Sequence, residues 1–190
     1  MDADETGNRR PRVPLLLALD RGEAMKGRAI AAALGGICEL IGRLGPEDRA
    51  GLIAFNGKVL RPVPIAPVRD GRYLNEVLTQ LEARNGSDLS AALEEGIADC
   101  LADGDAGDLV LVTAGRPTAG RRRADQLERI AMAGRDRGVR ISTIAVGGQP
   151  DRDLLVGIAV AGGGRSAFAP DAATVADELD RLSRRPSGDH

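Results

Sequence analysis

Six apolar runs of strand length alternate along the chain with stretches in which apolar residues recur every three or four positions. The strand-like runs fall at 14–20, 50–55, 58–65, 108–113, 139–146 and 165–169. Between them, Ile30, Leu34, Ile37, Ile41 and Leu44 share one helical face, as do Leu74, Val77, Leu78 and Leu81, and Leu89, Leu93, Ile97 and Leu101. Later helical periods centre on Leu127 and Ile130, on Leu154, Leu155 and Ile158, and on Val175, Leu179 and Leu182. Strands alternating with amphipathic helices predict an α/β fold. The expectation is a mostly parallel six-stranded sheet with one antiparallel edge strand and helices on both faces.

Local signals refine this plan. Asn56-Gly57 between two strand-like runs predicts a type I′ hairpin, so strands 50–55 and 58–65 pair antiparallel. Pro62 and Pro64 send the second of these to the sheet edge, where a missing N–H costs least. Asp70, Ser87 and Asp171 read as helix N-caps, and Gly138 as a C-cap. Gly162-Gly163-Gly164 precedes a strand and reads as a helix-end turn. The polar, Pro-, Ser- and Gly-containing ends, 1–12 and 184–190, read as disordered tails around one domain over 13–183.

Composition narrows the function classes. The 190-residue chain is 43% hydrophobic and 28% charged, as expected of a globular domain with a full core, but only 2% aromatic. Its net charge of −2 gives no field favouring nucleic acid or an anionic membrane, and the scarce aromatics offer few platforms for bases. The first residues carry no apolar signal-peptide core, and no run approaches the roughly 20 apolar residues of a membrane helix. Cys38 and Cys100 lie on helical patterns without metal-ligand spacing and read as buried free thiols. These features predict a cytoplasmic protein that binds neither nucleic acid nor membrane.

Catalytic chemistry is thinly supplied. The single histidine is His190, in the polar tail, which removes Ser-His-Asp and Cys-His catalysis and His/Cys zinc sites. The chain contains no GxxxxGK[ST] phosphate loop, no strand-to-helix GxGxxG and no GxSxG elbow. A small nucleotide-handling α/β enzyme is therefore disfavoured. Oxygen-ligand chemistry with a hard cation remains, or no chemistry at all.

The stretch Leu17-Ala18-Leu19-Asp20-Arg21-Gly22-Glu23-Ala24-Met25-Lys26-Gly27 is a buried strand ending on a carboxylate and opening into a helix, the place where a parallel sheet usually holds its ligand. It is followed in order by Gly51-Leu52-Ile53-Ala54-Phe55-Asn56, Asn85-Gly86-Ser87-Asp88-Leu89-Ser90 and Leu109-Val110-Leu111-Val112-Thr113-Ala114-Gly115. Val139-Arg140-Ile141-Ser142-Thr143-Ile144-Ala145-Val146-Gly147 and Gly164-Arg165-Ser166-Ala167-Phe168 complete the series. In order and spacing the chain resembles a von Willebrand factor type A domain from about residue 13 to 183. The resemblance implies a doubly wound, Rossmann-like α/β fold whose top carries a metal-ion-dependent adhesion site, usually for Mg²⁺, built from a DxSxS turn, a central Thr and an Asp after the fourth strand. A carboxylate of the partner completes the shell.

Against that pattern, Asp20 matches the leading Asp, whereas Gly22 and Ala24 stand where the two serines belong. Ser87 offers a hydroxyl in place of Thr, and Ala114 replaces the second Asp. Two of the five ligands implied by the resemblance survive, too few for an ion that wants near-octahedral oxygen geometry. Glu23 is expected to point away, and Asp20 and Ser87 also read as N-caps. The Arg121-Arg122-Arg123 run reads as a solvated face. Arg21 and Arg116 fall on the rim of the same site and are expected to make it cationic, so that an acidic partner docks directly.

The expected function is a non-enzymatic protein-interaction module with no cofactor, whose binding face comprises Asp20, Arg21, Gly22, Glu23, Ala24, Ser87, Asp88, Ala114 and Arg116. The alternative is a weakened Mg²⁺ site held by Asp20 and Ser87, with Asp88 and waters. Bacterial members of the family often work beside AAA+ ATPases of the MoxR or chelatase type. The resemblance suggests such a partner without identifying it, and the Arg, Ala and Gly richness suggests a GC-rich bacterial source.

Overall fold

Strand β1 (Leu15–Asp20) is buried along its whole length, and its alternation divides the molecule into two cores. Leu15, Leu17 and Leu19 face one hydrophobic cluster, and Leu16 and Ala18 face the other. The computed structural model describes residues 13–102, 104 and 107–183. The segments expected to be tails, 1–12 and 184–190, lie outside the described residues.

The remaining strands are β2 (Arg49–Phe55), β3 (Val59–Pro67), β4 (Asp108–Thr113), β5 (Arg140–Val146) and β6 (Gly163–Ala169). The helices are α1 (Arg28–Arg43), α2 (Arg72–Leu78), α3 (Leu89–Ala102), α4 (Ala124–Arg135), α5 (Arg152–Ala161) and α6 (Ala172–Leu182), with a 3₁₀ turn at Glu23–Met25. One six-stranded sheet runs β3-β2-β1-β4-β5-β6. All neighbours pair parallel except β2 and β3, so β3 is the antiparallel edge strand. Helices α1, α2 and α6 cover one face, while α3, α4 and α5 cover the other. The fold class read from the sequence is the fold observed.

Several local expectations change. β2 and β3 form the hairpin expected at Asn56-Gly57, but Phe55 pairs with Val59 across a three-residue loop. Neither Asn56 nor Gly57 takes the positive φ that a type I′ turn requires. Tertiary contacts decide this turn: the Asn56 carbonyl accepts the Asp88 N–H at 2.7 Å, and its Nδ2 donates to the Asn85 carbonyl at 3.1 Å. Asp171 caps α6 as expected, accepting from the Thr174 N–H. Before α2 the cap position is Gly71, at φ 68°, and Asp70 bonds the Arg72 N–H instead. The glycine run 162–164 closes α5 at Gly162 but is already strand from Gly163. Cys100 is buried as expected, whereas Cys38 is exposed on α1.

Helices α1 and α6 approach closely where α1 carries Gly35 and Gly36. A Cβ on Gly36 would overlap the Val175 side chain and come within 2.8 Å of the Ala172 carbonyl. Gly42, near the other end of the same helix, has open space around it. Gly36→Ala should therefore lower stability by about 1–3 kcal/mol through overpacking, although alanine is the better helix former. Gly42→Ala should raise it by about 0.5–1 kcal/mol. Urea denaturation of the two variants checks the pair, and equal shifts would contradict the close approach.

Candidate functional site

Winding reverses between β1 and β4, and the strands end there on Asp20 and Thr113. Such a switch point leaves a crevice at the carboxyl edge of the sheet. Asp20 is 1% exposed, and three segments converge on its carboxylate. Oδ1 accepts the Gly22 N–H at 2.7 Å, and Oδ2 accepts the Ser87 hydroxyl at 3.0 Å and the Thr113 hydroxyl at 2.6 Å. The Thr113 oxygen accepts in turn from the Gly115 N–H at 2.9 Å. Burial raises the Asp20 carboxyl above its ordinary pKa, with the Thr113, Gly22 and Ser87 hydrogen bonds pulling the other way. Asp20 is thus the hub of a polar network rather than a helix cap, because α1 begins only at Arg28.

Ser87 is held from both sides. Its N–H donates to the Thr118 hydroxyl at 2.9 Å, and its carbonyl accepts the N–H groups of Thr118 and Ala119 at 2.9 and 3.0 Å. Its hydroxyl goes to Asp20, so capping of α3 falls to Asp88, which accepts from the Ala91 N–H at 2.9 Å and the Ser90 hydroxyl at 2.6 Å. Gly120, at φ 63°, lies against Asp88 and Ser90 where any Cβ would overlap their side chains. The loop after β4 is in this way clamped onto the start of α3.

The position equivalent to the first serine is closed by packing. A Cβ on Gly22 would meet the Gly86 carbonyl oxygen at 2.8 Å and the Ser87 Cβ at 2.9 Å. Ala24 is exposed on the 3₁₀ turn, and Glu23 beside it is exposed and paired with Lys26 at 2.7 Å. Ala114 is buried, its carbonyl accepting the Asp151 N–H at 3.0 Å. Among the described residues no group of three or more His, Cys, Asp or Glu side chains could hold a metal ion.

The two arginines expected on one rim differ in exposure. Arg116 is exposed and donates from Nε to the Gln149 carbonyl at 2.9 Å. Arg21 is buried, at 7% exposure, and its Nε has no hydrogen-bond partner. Its main chain continues the sheet ladder, donating to the Phe55 carbonyl at 2.7 Å and accepting the Arg84 N–H at 2.5 Å. Burial, and then the charge of Arg84, hold the Arg21 guanidinium below the usual arginine pKa. Arg121 and Arg123 are exposed and paired, with Glu94 and Asp125 respectively. Thr113, Thr118 and Arg84 were not singled out from the sequence; register with β1 at the end of the neighbouring strand could have signalled Thr113.

The profile of the von Willebrand factor type A domain matches residues 15–116, just over half of the chain. An uncharacterized protein of Synechocystis is 24% identical over 187 residues; the alignment covers 97% of this chain, which spans only 44% of that protein. Among solved structures, an aerotolerance-related membrane protein from Bacteroides fragilis matches with a TM-score of 0.78 at 16% identity, covering 90% of this chain and 98% of that one. Proximal thread matrix protein 1 from the mussel byssus, with a zinc-occupied MIDAS motif, matches with a TM-score of 0.71 at 13% identity, covering 91% of this chain and 47% of that one.

Asp20→Ala should cost about 2–4 kcal/mol, because it strands two buried hydroxyls and a backbone N–H. Asp20→Asn keeps an acceptor for Gly22 and should cost less. The pH dependence has a definite sign. With the folded carboxyl raised, the unfolded state loses its proton first as pH climbs past about 4, so this group's contribution to stability falls until the folded carboxyl has ionised as well. The stability advantage of the parent over Asp20→Asn should therefore shrink from pH 4 to pH 7 in urea titrations. An advantage that grows over that range would contradict the raised carboxyl.

Proposed function

This chain belongs to the von Willebrand factor type A domain family, and from that premise we propose that it is a non-enzymatic interaction module whose top face docks a protein partner without a bound cation. Domains of this family typically mediate protein–protein contact, and they can hold a metal at the adhesion site. The likeness to an aerotolerance-related membrane protein supports an interaction role in the same general sense.

The observation that carries the cation-free reading is the closure around Asp20. Mg²⁺ needs six oxygens at about 2.0–2.1 Å and gives up water reluctantly. Here both carboxylate oxygens already accept hydrogen bonds from Gly22, Ser87 and Thr113. Gly22 and Ala114 contribute no side-chain oxygen, and the Gly86 carbonyl occupies the place a serine at position 22 would need. Asp88, which the alternative Mg²⁺ shell would recruit, is engaged with Ala91 and Ser90. The donor set does not fit an octahedral ion. An AAA+ ATPase of the MoxR or chelatase type is the partner class proposed.

Calorimetric titration with Mg²⁺ and Mn²⁺ should give no saturable heat, and melting curves with and without Mg²⁺ should superimpose. Pull-down from the native host should recover the same partner with and without EDTA, and an AAA+ ATPase among the captured proteins would meet the partner proposal. Saturable heat in the parent that disappears in Asp20→Ala would overturn the cation-free reading. Combining Gly22→Ser, Ala24→Ser and Ala114→Asp should restore Mg²⁺ binding. Gly22→Ser alone should cost about 1–3 kcal/mol, because segment 85–87 must retreat to admit the new Cβ.

A further inference from the structure

Arginine is almost never fully buried without a partner, because a guanidinium removed from water needs an opposite charge or a full set of acceptors. Buried arginines elsewhere among the described residues are rare. Most arginines are exposed or, like Arg140 at 21% side-chain exposure, held by a carboxylate, here Asp108. Arg21 departs from this pattern. It is 7% exposed, its Nε meets no acceptor, and no acidic side chain pairs with it among the described residues. The charge that does act on it is a like one, from Arg84. Arg84 has a side chain 63% exposed and only a loose pairing with Glu82 at 3.7 Å.

We propose that Arg21, with Arg84 beside it, is the receptor for a carboxylate carried by the partner protein, an aspartate or glutamate side chain taken up directly by the top face. The proposal rests on the cation-free reading of that face and names its ligand chemistry. The two terminal N–H groups of an arginine form the end-on half of its fork, which matches the two oxygens of a carboxylate. In Arg21 the Nε is closed off from solvent without an acceptor, and the terminal nitrogens, which no described residue pairs, are the part of the guanidinium left for a ligand to reach. The site is also held in place before any ligand arrives: the Arg21 N–H is fixed to Phe55 and its carbonyl to the Arg84 N–H. The two residues are therefore joined through their backbones, and the buried Arg21 side chain has little left to order on binding. An incoming carboxylate neutralises a charge that burial has left uncompensated and meets the second guanidinium at the solvent side.

The test uses the full ¹⁵N-labelled chain in EDTA, titrated with a triglutamate peptide and, separately, with triglutamine. The Arg21 Nε–H resonance, identified by its absence in Arg21→Lys, should shift saturably with triglutamate and stay still with triglutamine. Arg21→Lys retains charge without the fork and should bind triglutamate about ten-fold or more weakly, with Arg84→Gln weakened to a smaller extent. Arg21→Met should lose binding yet raise the melting temperature of the free chain, since it removes an unpaired buried charge. A resonance that does not move, or Arg21→Met binding as tightly as the parent, would overturn the proposal. Triglutamate binding that requires Mg²⁺ and disappears in EDTA would instead bring down the cation-free reading on which it rests.

Discussion

Taking the Asp20 carboxylate out of water places a demand on three parts of the chain that are distant in sequence. A buried carboxylate is tolerated only when donors replace its hydration, and here the donors come from the turn after β1, the segment before α3 and the end of β4. Each donor is itself fixed by a further bond. Thr113 is tied to Gly115, and Ser87 is tied through its backbone to Thr118 and Ala119. The rest of the top face follows: the loop after β4 lies on the α3 start because Ser87 must be presented to Asp20, and Gly120 is needed where the two segments touch.

The sheet was legible in the sequence because period-two and period-three-to-four patterns are imposed by burial on each element separately. β1 shows this most clearly, since its five consecutive apolar residues are what a strand covered on both faces requires. Pro62 and Pro64 placed β3 at the edge for a local reason, the absence of N–H donors. Asn56-Gly57 shows where local reasoning ends. The dipeptide correctly marked a hairpin, but its conformation is set by Asp88 and Asn85, about thirty residues away, and a turn that must supply a carbonyl to another segment does not keep its intrinsic preference.

The candidate site divides along the same line. Asp20 and Ser87 were legible because of their place at strand and helix ends, and they do meet. What they do there was not legible: each was also read as a helix cap, and both caps gave way to their mutual hydrogen bond, with Asp88 taking over α3. The burial of Arg21 was not legible for a related reason. A charged residue just past a strand is ordinarily solvated, and nothing in its neighbours in sequence signals that Phe55 and Arg84 pin its backbone and draw it inward.

Asp20 and Arg21 are consecutive, opposite in charge and both buried, yet neither compensates the other. Successive residues of an extended chain project to opposite sides, and Asp20 is committed to hydroxyls on Ser87 and Thr113. Three neutral donors meet the acid, and no acidic side chain among the described residues meets the base. An arrangement that separates the two charges, closes over the negative one and leaves the positive one unpaired is the ground on which we propose a face that receives acidic groups, with the guanidinium in the role a cation would otherwise fill.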